Sequence, residues 1–171
     1  ARRVGVARTN GRRDSAETGF FFRRLERLVW MMRIAGYDPT RQHNRIVQLL
    51  GEIDRGLAVG AMRELEITAE MREKALNNLR SPSFDAKHFS GHVLRRISIA
   101  LGQDPGPIAR DRLTTEHILP RAFAAKSGWR VHFPSQRAVK QHAHRLGNLT
   151  FLSPAENQKA DRQDWSEKRP I

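Results

Sequence analysis

Apolar positions recur at three- and four-residue steps through the first hundred residues. Phe21, Leu25, Leu28, Val29 and Met32 form one such stripe, which predicts an amphipathic helix running from Asp14 to Gly36. Asp38-Pro39 supplies an N-cap and a proline at the first helical position of a second helix. Ile46, Leu49, Leu50 and Ile53 give that helix its inward stripe, and Gly56 closes it. Thr68 to Arg80 reads as a third helix, stopped at Ser81-Pro82. Asp85 to Leu101 reads as a fourth, with Phe89, Val93, Leu94, Ile97 and Ala100 on one side. The run GQDPGP, from Gly102 to Pro107, is a strong breaker and the expected subdomain boundary.

Beyond the breaker the pattern changes. LTTEHILP is β-prone and stops at Pro120, with a short helix expected to about Ser127. Residues Pro134 to Leu146 read as helix, and NLTFL at 148–152 as a short strand. Ser153-Pro154 then caps a last helix through about Arg162. The order is strand, insertion, strand, helix. The expected fold is mainly α, with a four-helix front over 14–101 and a compact module over 108–171. There is no internal repeat, which argues against a solenoid.

Composition sharpens this picture. The chain has 171 residues, 31 Lys+Arg against 18 Asp+Glu, and a net charge of +13. Of the basic residues 25 are Arg and 6 are Lys. A pI near 11.4 implies a polyanionic partner, most simply nucleic acid. The absence of Cys excludes a disulfide framework, a Cys-type zinc site and a thiol nucleophile. Hydrophobic content of 39% is enough for a globule, and no apolar run approaches the length of a bilayer crossing. Residues 1–13 hold five Arg and no acid. They read as a basic linker or arm rather than a transit peptide, because they lack an apolar face. The first residue is Ala1, so the chain is expected to be processed or excised from something longer.

The sharpest chemical feature is Glu116-His117 followed by Pro120. Metal-assisted phosphodiester hydrolysis needs a hard oxygen ligand for a divalent ion and a base for water. Glu supplies the first and neutral His the second. Neighbours on a regular strand point to opposite faces, so both serve one site only if the strand breaks there, as Pro120 gives reason to expect. The plainer alternative is a surface Glu beside a core His. In HRLGNLTFLSPAENQKA, Asn148 opens a strand behind Gly147 and Asn157 falls in the first turn of the next helix. An amide oxygen such as that of Asn157 suits Mg²⁺, which keeps most of its waters. Asn148 is placed to hold a loop by hydrogen bonds to backbone. Alternatively, Asn148 is a turn residue and Asn157 a solvated helix residue.

Together, E-H-x-x-P, about thirty residues, G-N-L-T-x-L and an Asn nine residues beyond Asn148 resemble the HNH (His-Me finger, ββα-metal) nucleases. The chain is most similar to the C-terminal nuclease domain of GmrSD-type, modification-dependent restriction endonucleases. That branch carries EHILP, HRLGNLTLL, an Asn, and then an aromatic followed by Lys-Arg, which here are Trp165 and Lys168-Arg169. FFRRLERL and HVLRRISIALG in the front half also look like the family's helices, so the resemblance covers nearly the whole chain. It implies a ββα-metal module in which His117 is the general base and Glu116 and Asn157 hold the ion. Asn148 braces the site loop and His144 supports it. The implied cofactor is Mg²⁺ or Mn²⁺. The implied substrate is double-stranded DNA, modified or not, nicked one strand at a time to leave a 5′ phosphate. A role in phage defence, a bacterial cytoplasmic location, and an N-terminal sensing or nucleotide-hydrolysing domain in the same longer protein also follow. Two departures are small: Glu116 stands where many HNH nucleases have Asp, and Phe151 replaces the usual Leu.

Other features carry less chemistry. His142 and His144 form an H-x-H pair that could bind zinc, though a helical surface pair is the simpler reading without Cys or further acids. His43, His88, His92 and His132 read as structural, Trp30 and Met31-Met32 as core, and Trp129 and Trp165 as packing anchors. Arg121, Lys159, Lys168 and Arg169 are the expected phosphate contacts near the scissile bond, with Arg23, Arg24, Arg95 and Arg96 as distal ones. The competing expectation is a non-catalytic basic DNA-binding module that retains an HNH-like scaffold. An RNA-directed role lacks a stacking-rich aromatic signature.

Overall fold

The computed structural model describes residues 11–102 and 113–170. The fold is mainly helical with one small two-stranded sheet. Its contacts divide into two compact units, one to Leu76 and one from Asn77. The expected arm at 1–13 lies largely outside the described residues, as does most of the GQDPGP breaker. The fourth helix groups with the sheet rather than with the front helices.

In the first unit, α1 spans Gly11–Ile34, three residues earlier at its start than the apolar stripe required. It ends where Gly36 takes a left-handed φ of 75°. Helix α2, Pro39–Asp54, begins as its sequence dictates: Asp38 accepts a hydrogen bond from the Arg41 amide, and Pro39 sits at the first helical position. Leu28, Met32, Leu49, Val59, Met62, Leu65, Met71 and Ala75 form the core, with Phe21, Leu25 and Ile46 packed on it. The inward face of α2 differs from the apolar pattern. Leu50 is 53% exposed and Ile53 38%, whereas Glu52 is buried. The Glu52 carboxylate accepts the Arg63 and Glu64 amides, each at 3.1 Å. Those amides begin the tight turn Arg63–Leu65. Satisfying these buried donors turns Glu52 inward and rotates Leu50 and Ile53 toward solvent. Helix α3, Ala69–Leu79, stops just before Ser81-Pro82.

In the second unit the fourth helix is shorter than its pattern. Helix α4 spans Ser90–Ala100, and Phe84–Ala86 forms a separate 3₁₀ turn ahead of it. Phe84 is fully buried and meets the Phe89 ring edge-on, with centroids 6.0 Å apart. Strand β1, Thr114–His117, pairs antiparallel with β2, Leu149–Leu152, so that Glu116 faces Thr150 and His117 faces Leu149. No helix forms between Pro120 and Ser127. The insertion instead carries α5, Trp129–His132, and α6, Gln136–Ala143. The Ser135 side chain caps α6, which buries Val139 and Ala143 one turn apart. Helix α7, Pro154–Ala160, starts with a complete capping box between Ser153 and Glu156 and carries Pro154 at its first position. A last short helix, α8 at Trp165–Lys168, was not expected from the sequence.

Asp164 explains the insertion's path. Its carboxylate accepts from the Ser127 hydroxyl and, at 3.0 Å, from the Gly128 amide. The Trp129 indole donates to the Gln163 carbonyl at 3.0 Å. The Ser127 hydroxyl first, and the Gly128 amide second, hold the Asp164 carboxyl below the usual aspartate range. A depressed folded value means that this tether contributes stability above the unfolded value of about 3.9. The contribution is lost as pH falls through the folded value. Trp129 fluorescence should therefore change on acidification in the parent protein. At neutral pH, Asp164→Asn should already resemble the acidified parent; a parental signal in that variant would remove Asp164 as the tether.

Candidate active site

Strand β1 ends at His117, where the chain turns away toward buried Pro120. Asn148, at the end of the Leu146–Asn148 turn, fixes that departure. Its carbonyl accepts the Ile118 amide at 2.9 Å. Its side-chain oxygen accepts the Leu119 amide at 2.7 Å, and its side-chain nitrogen donates to the carbonyls of Leu119 at 3.0 Å and Ala143 at 2.7 Å. Every hydrogen bond goes to backbone, so Asn148 shapes the loop and leaves no group for a ligand.

Glu116, His117 and Asn157 line one cleft, together with Thr114, Pro120, Arg121, Asp161 and Arg162. Glu116 and Asn157 come from different elements, β1 and α7. The Asn157 amide nitrogen donates to the Thr114 hydroxyl at 2.6 Å, which anchors α7 to the start of β1. Its oxygen is then the atom it can offer to a cation. Glu116 is only 8% exposed, and its carboxylate receives the Lys168 ammonium at 2.5 Å. Lys168, equally buried, also donates to the His117 carbonyl at 3.0 Å. A carboxylate this deep is stable only when paired.

His117 engages a second acid. Its Nε2 lies 3.1 Å from Asp85 Oδ2, and His144 Nδ1 lies 2.6 Å from the same oxygen. The two imidazoles meet edge to face with centroids 5.6 Å apart. Burial pushes the Asp85 carboxyl up, but the hydrogen bonds and charges of His144 and His117 outweigh it and hold the group below the usual range. The ligand atoms of Asp85, His117 and His144 lie within 4.8 Å of one another.

The expected phosphate contacts separate in space. Of the near group only Arg121 lines the cleft. Lys159 and Arg169 are exposed elsewhere on the unit, and Lys168, expected as a phosphate contact, is turned inward on Glu116. Arg24 in the first unit donates to the Val59 carbonyl at 2.8 Å, while Arg23 is exposed. Arg95 is half-buried beside Thr115 and Phe151, and Arg96 is exposed. The H-x-H pair is divided: His144 turns to Asp85, while the ring of exposed His142 packs on Phe133. Trp129 is anchored by Gln163, whereas Trp165 is 48% exposed. Two residues of the site were missed in the sequence. Asp85 gave no signal, because its partners lie 32 and 59 residues away. Arg162, five positions after Asn157, could have been suspected from that proximity.

These elements form a helix-rich unit whose two-stranded sheet and following helix present acid, imidazole and amide to one cleft. Residues 69–171 match the model of the GmrSD restriction endonucleases, C-terminal domain, and the chain belongs to that family. This membership gives the chain a nuclease role within a restriction endonuclease, with DNA as the substrate class. No curated protein and no solved structure matches the chain. Among the described residues, no helix is long and apolar enough to cross a membrane.

The Glu116–Lys168 pair makes a direct prediction. Lys168→Met leaves a buried carboxylate without its cation and should destabilise the protein by about 3–5 kcal/mol. Adding Glu116→Gln to that variant should recover most of the loss. Urea unfolding of the two variants checks this, and a double variant no more stable than Lys168→Met would show that the pair is not coupled.

Proposed function

We propose that the second unit is a divalent-metal-dependent DNA endonuclease of the HNH type, built as a ββα-metal module and nicking one strand per visit. The observation that carries this reading is the meeting of Glu116, His117 and Asn157 on one cleft. The donor set fits a hard ion such as Mg²⁺ or Mn²⁺: one carboxylate and one amide oxygen, with room for water. Glu116 already attracts a cation, since it holds the Lys168 ammonium. When bound by Glu116 and Asn157, the ion would stabilise charge on the phosphate and on the departing 3′ oxygen.

The chain's own groups do the rest. His117 takes a proton from water, and the resulting hydroxide attacks phosphorus in line. The bond from phosphorus to the 3′ oxygen breaks, and the departing 3′ oxygen takes a proton from solvent water, leaving a 5′ phosphate and a 3′ hydroxyl. Asn148 holds the turn after His117 so that the imidazole keeps its place at the cleft. Arg121 and Arg162, on the cleft wall, attract the phosphate, while Lys159 and Arg169 are proposed as further phosphate contacts on the same unit. Arg23, Arg24, Arg95 and Arg96 are proposed as distal backbone contacts. Contacts of this kind position a duplex without reading bases, so choice of modified target falls to a sensing or nucleotide-hydrolysing domain of the same longer protein.

A second reading, a non-catalytic DNA-binding module, draws support from Lys168, which occupies the Glu116 carboxylate. Cleavage separates the two. Supercoiled plasmid with Mg²⁺ or Mn²⁺ should become open-circle, and EDTA should stop the conversion. His117→Ala should lower the rate by about 10²–10⁴ while DNA binding persists. Nicking by that variant at the parental rate would remove His117 from the mechanism. Binding without cleavage by the parent would favour the second reading.

A further inference from the structure

We propose that Asp85 is the positioning residue that fixes which ring nitrogen of His117 is free to act as the base. The inference rests on the reading of His117 as general base and adds a group that lies outside the HNH motif.

Asp85 is held rigidly before it touches either histidine. It sits in the 3₁₀ turn Phe84–Ala86, between a fully buried Phe84 and the start of α4. Its amide donates to the His144 carbonyl at 3.1 Å, and its own carbonyl accepts the Ser90 hydroxyl at 3.3 Å. The contact with His144 is reciprocal: main chain bonds main chain while the His144 ring bonds the Asp85 carboxylate. The backbone of Asp85 is thus fixed on both sides, and its carboxylate meets both imidazoles from that fixed point.

An ionised carboxylate only accepts hydrogen bonds. The nitrogens facing Asp85 Oδ2 are therefore N–H groups: Nε2–H of His117 and Nδ1–H of His144. A neutral His117 with its proton on Nε2 has its lone pair on Nδ1, which becomes the nitrogen that takes the proton from water. His144 supplies a second N–H to the same oxygen, which keeps Asp85 ionised and oriented. The separations of 3.1 and 2.6 Å are hydrogen-bond lengths.

Two measurements test this. In metal-free, ¹⁵N-labelled parent protein, the His117 ring should carry its proton on Nε2, and that proton should exchange slowly with water. Asp85→Ala should lose the exchange protection. In plasmid nicking, Asp85→Ala should lower kcat by about 10–100-fold, the scale typical of groups that orient a functional histidine, with KM for DNA unchanged within about twofold. A parental His117 protonated on Nδ1 overturns the proposal without need of any variant. Parental kcat in Asp85→Ala, with His117→Ala inactive, overturns it while sparing the general base. A His117→Ala variant that nicks normally would instead sink the reading on which the proposal rests. Metal retained by the parent and lost in His144→Ala would make the trio a metal centre and also overturn it.

Discussion

The amide of Asn148 is the constraint on which the cleft depends. Its side chain ties the chain leaving β1, 29 residues earlier, to the end of α6 and the start of β2. Leu119 is buried, so its amide and carbonyl need partners within the protein, and each such group left unpaired costs about 1–3 kcal/mol. Asn148 satisfies both. The turn after His117 is thereby determined, and with it the point at which the strand's pleat ends. Glu116 and His117 both line the cleft, yet as neighbours within β1 they send their side chains to different partners, Lys168 and Asp85.

Around this frame the acids are placed against the grain of the composition. In a chain of net charge +13, four acids hold backbone, a lysine and two imidazoles in position. Glu52 turns inward to cap backbone, Asp164 ties down the insertion, Glu116 holds Lys168, and Asp85 receives two histidines. Glu52 and Glu116 are buried, and an acid removed from water must be paired or neutralised.

Much of the helical front was legible because caps and breakers act locally. Asp38-Pro39, Gly36 and Ser81-Pro82 mark their helix ends through the chemistry of adjacent residues. The Glu116-His117-Pro120 segment and the two Asn were legible as residue types suited to an ion and a base. What escaped was set by distant partners. The apolar period of α2 could not reveal that Glu52 would displace Ile53 from the interior. The pattern from Asp85 onward suits a helix, yet Asp85 sits outside α4 in a turn whose backbone and side chain bond residues of a later element. Lys168 read as a phosphate contact because nothing local shows that α8 carries it inward onto β1.

The central claim is that the cleft between β1 and α7 holds the ion beside a histidine base. Crystals of the protein soaked in Mn²⁺, with the ion located by its anomalous scattering, test this most directly. The account predicts one site ligated by Glu116 and by the side-chain oxygen of Asn157, at about 2.0–2.1 Å as for an octahedral Mg²⁺ site. His117 should lie next to the ion without ligating it. An ion seated among Asp85, His117 and His144, with none at Glu116, would contradict the account.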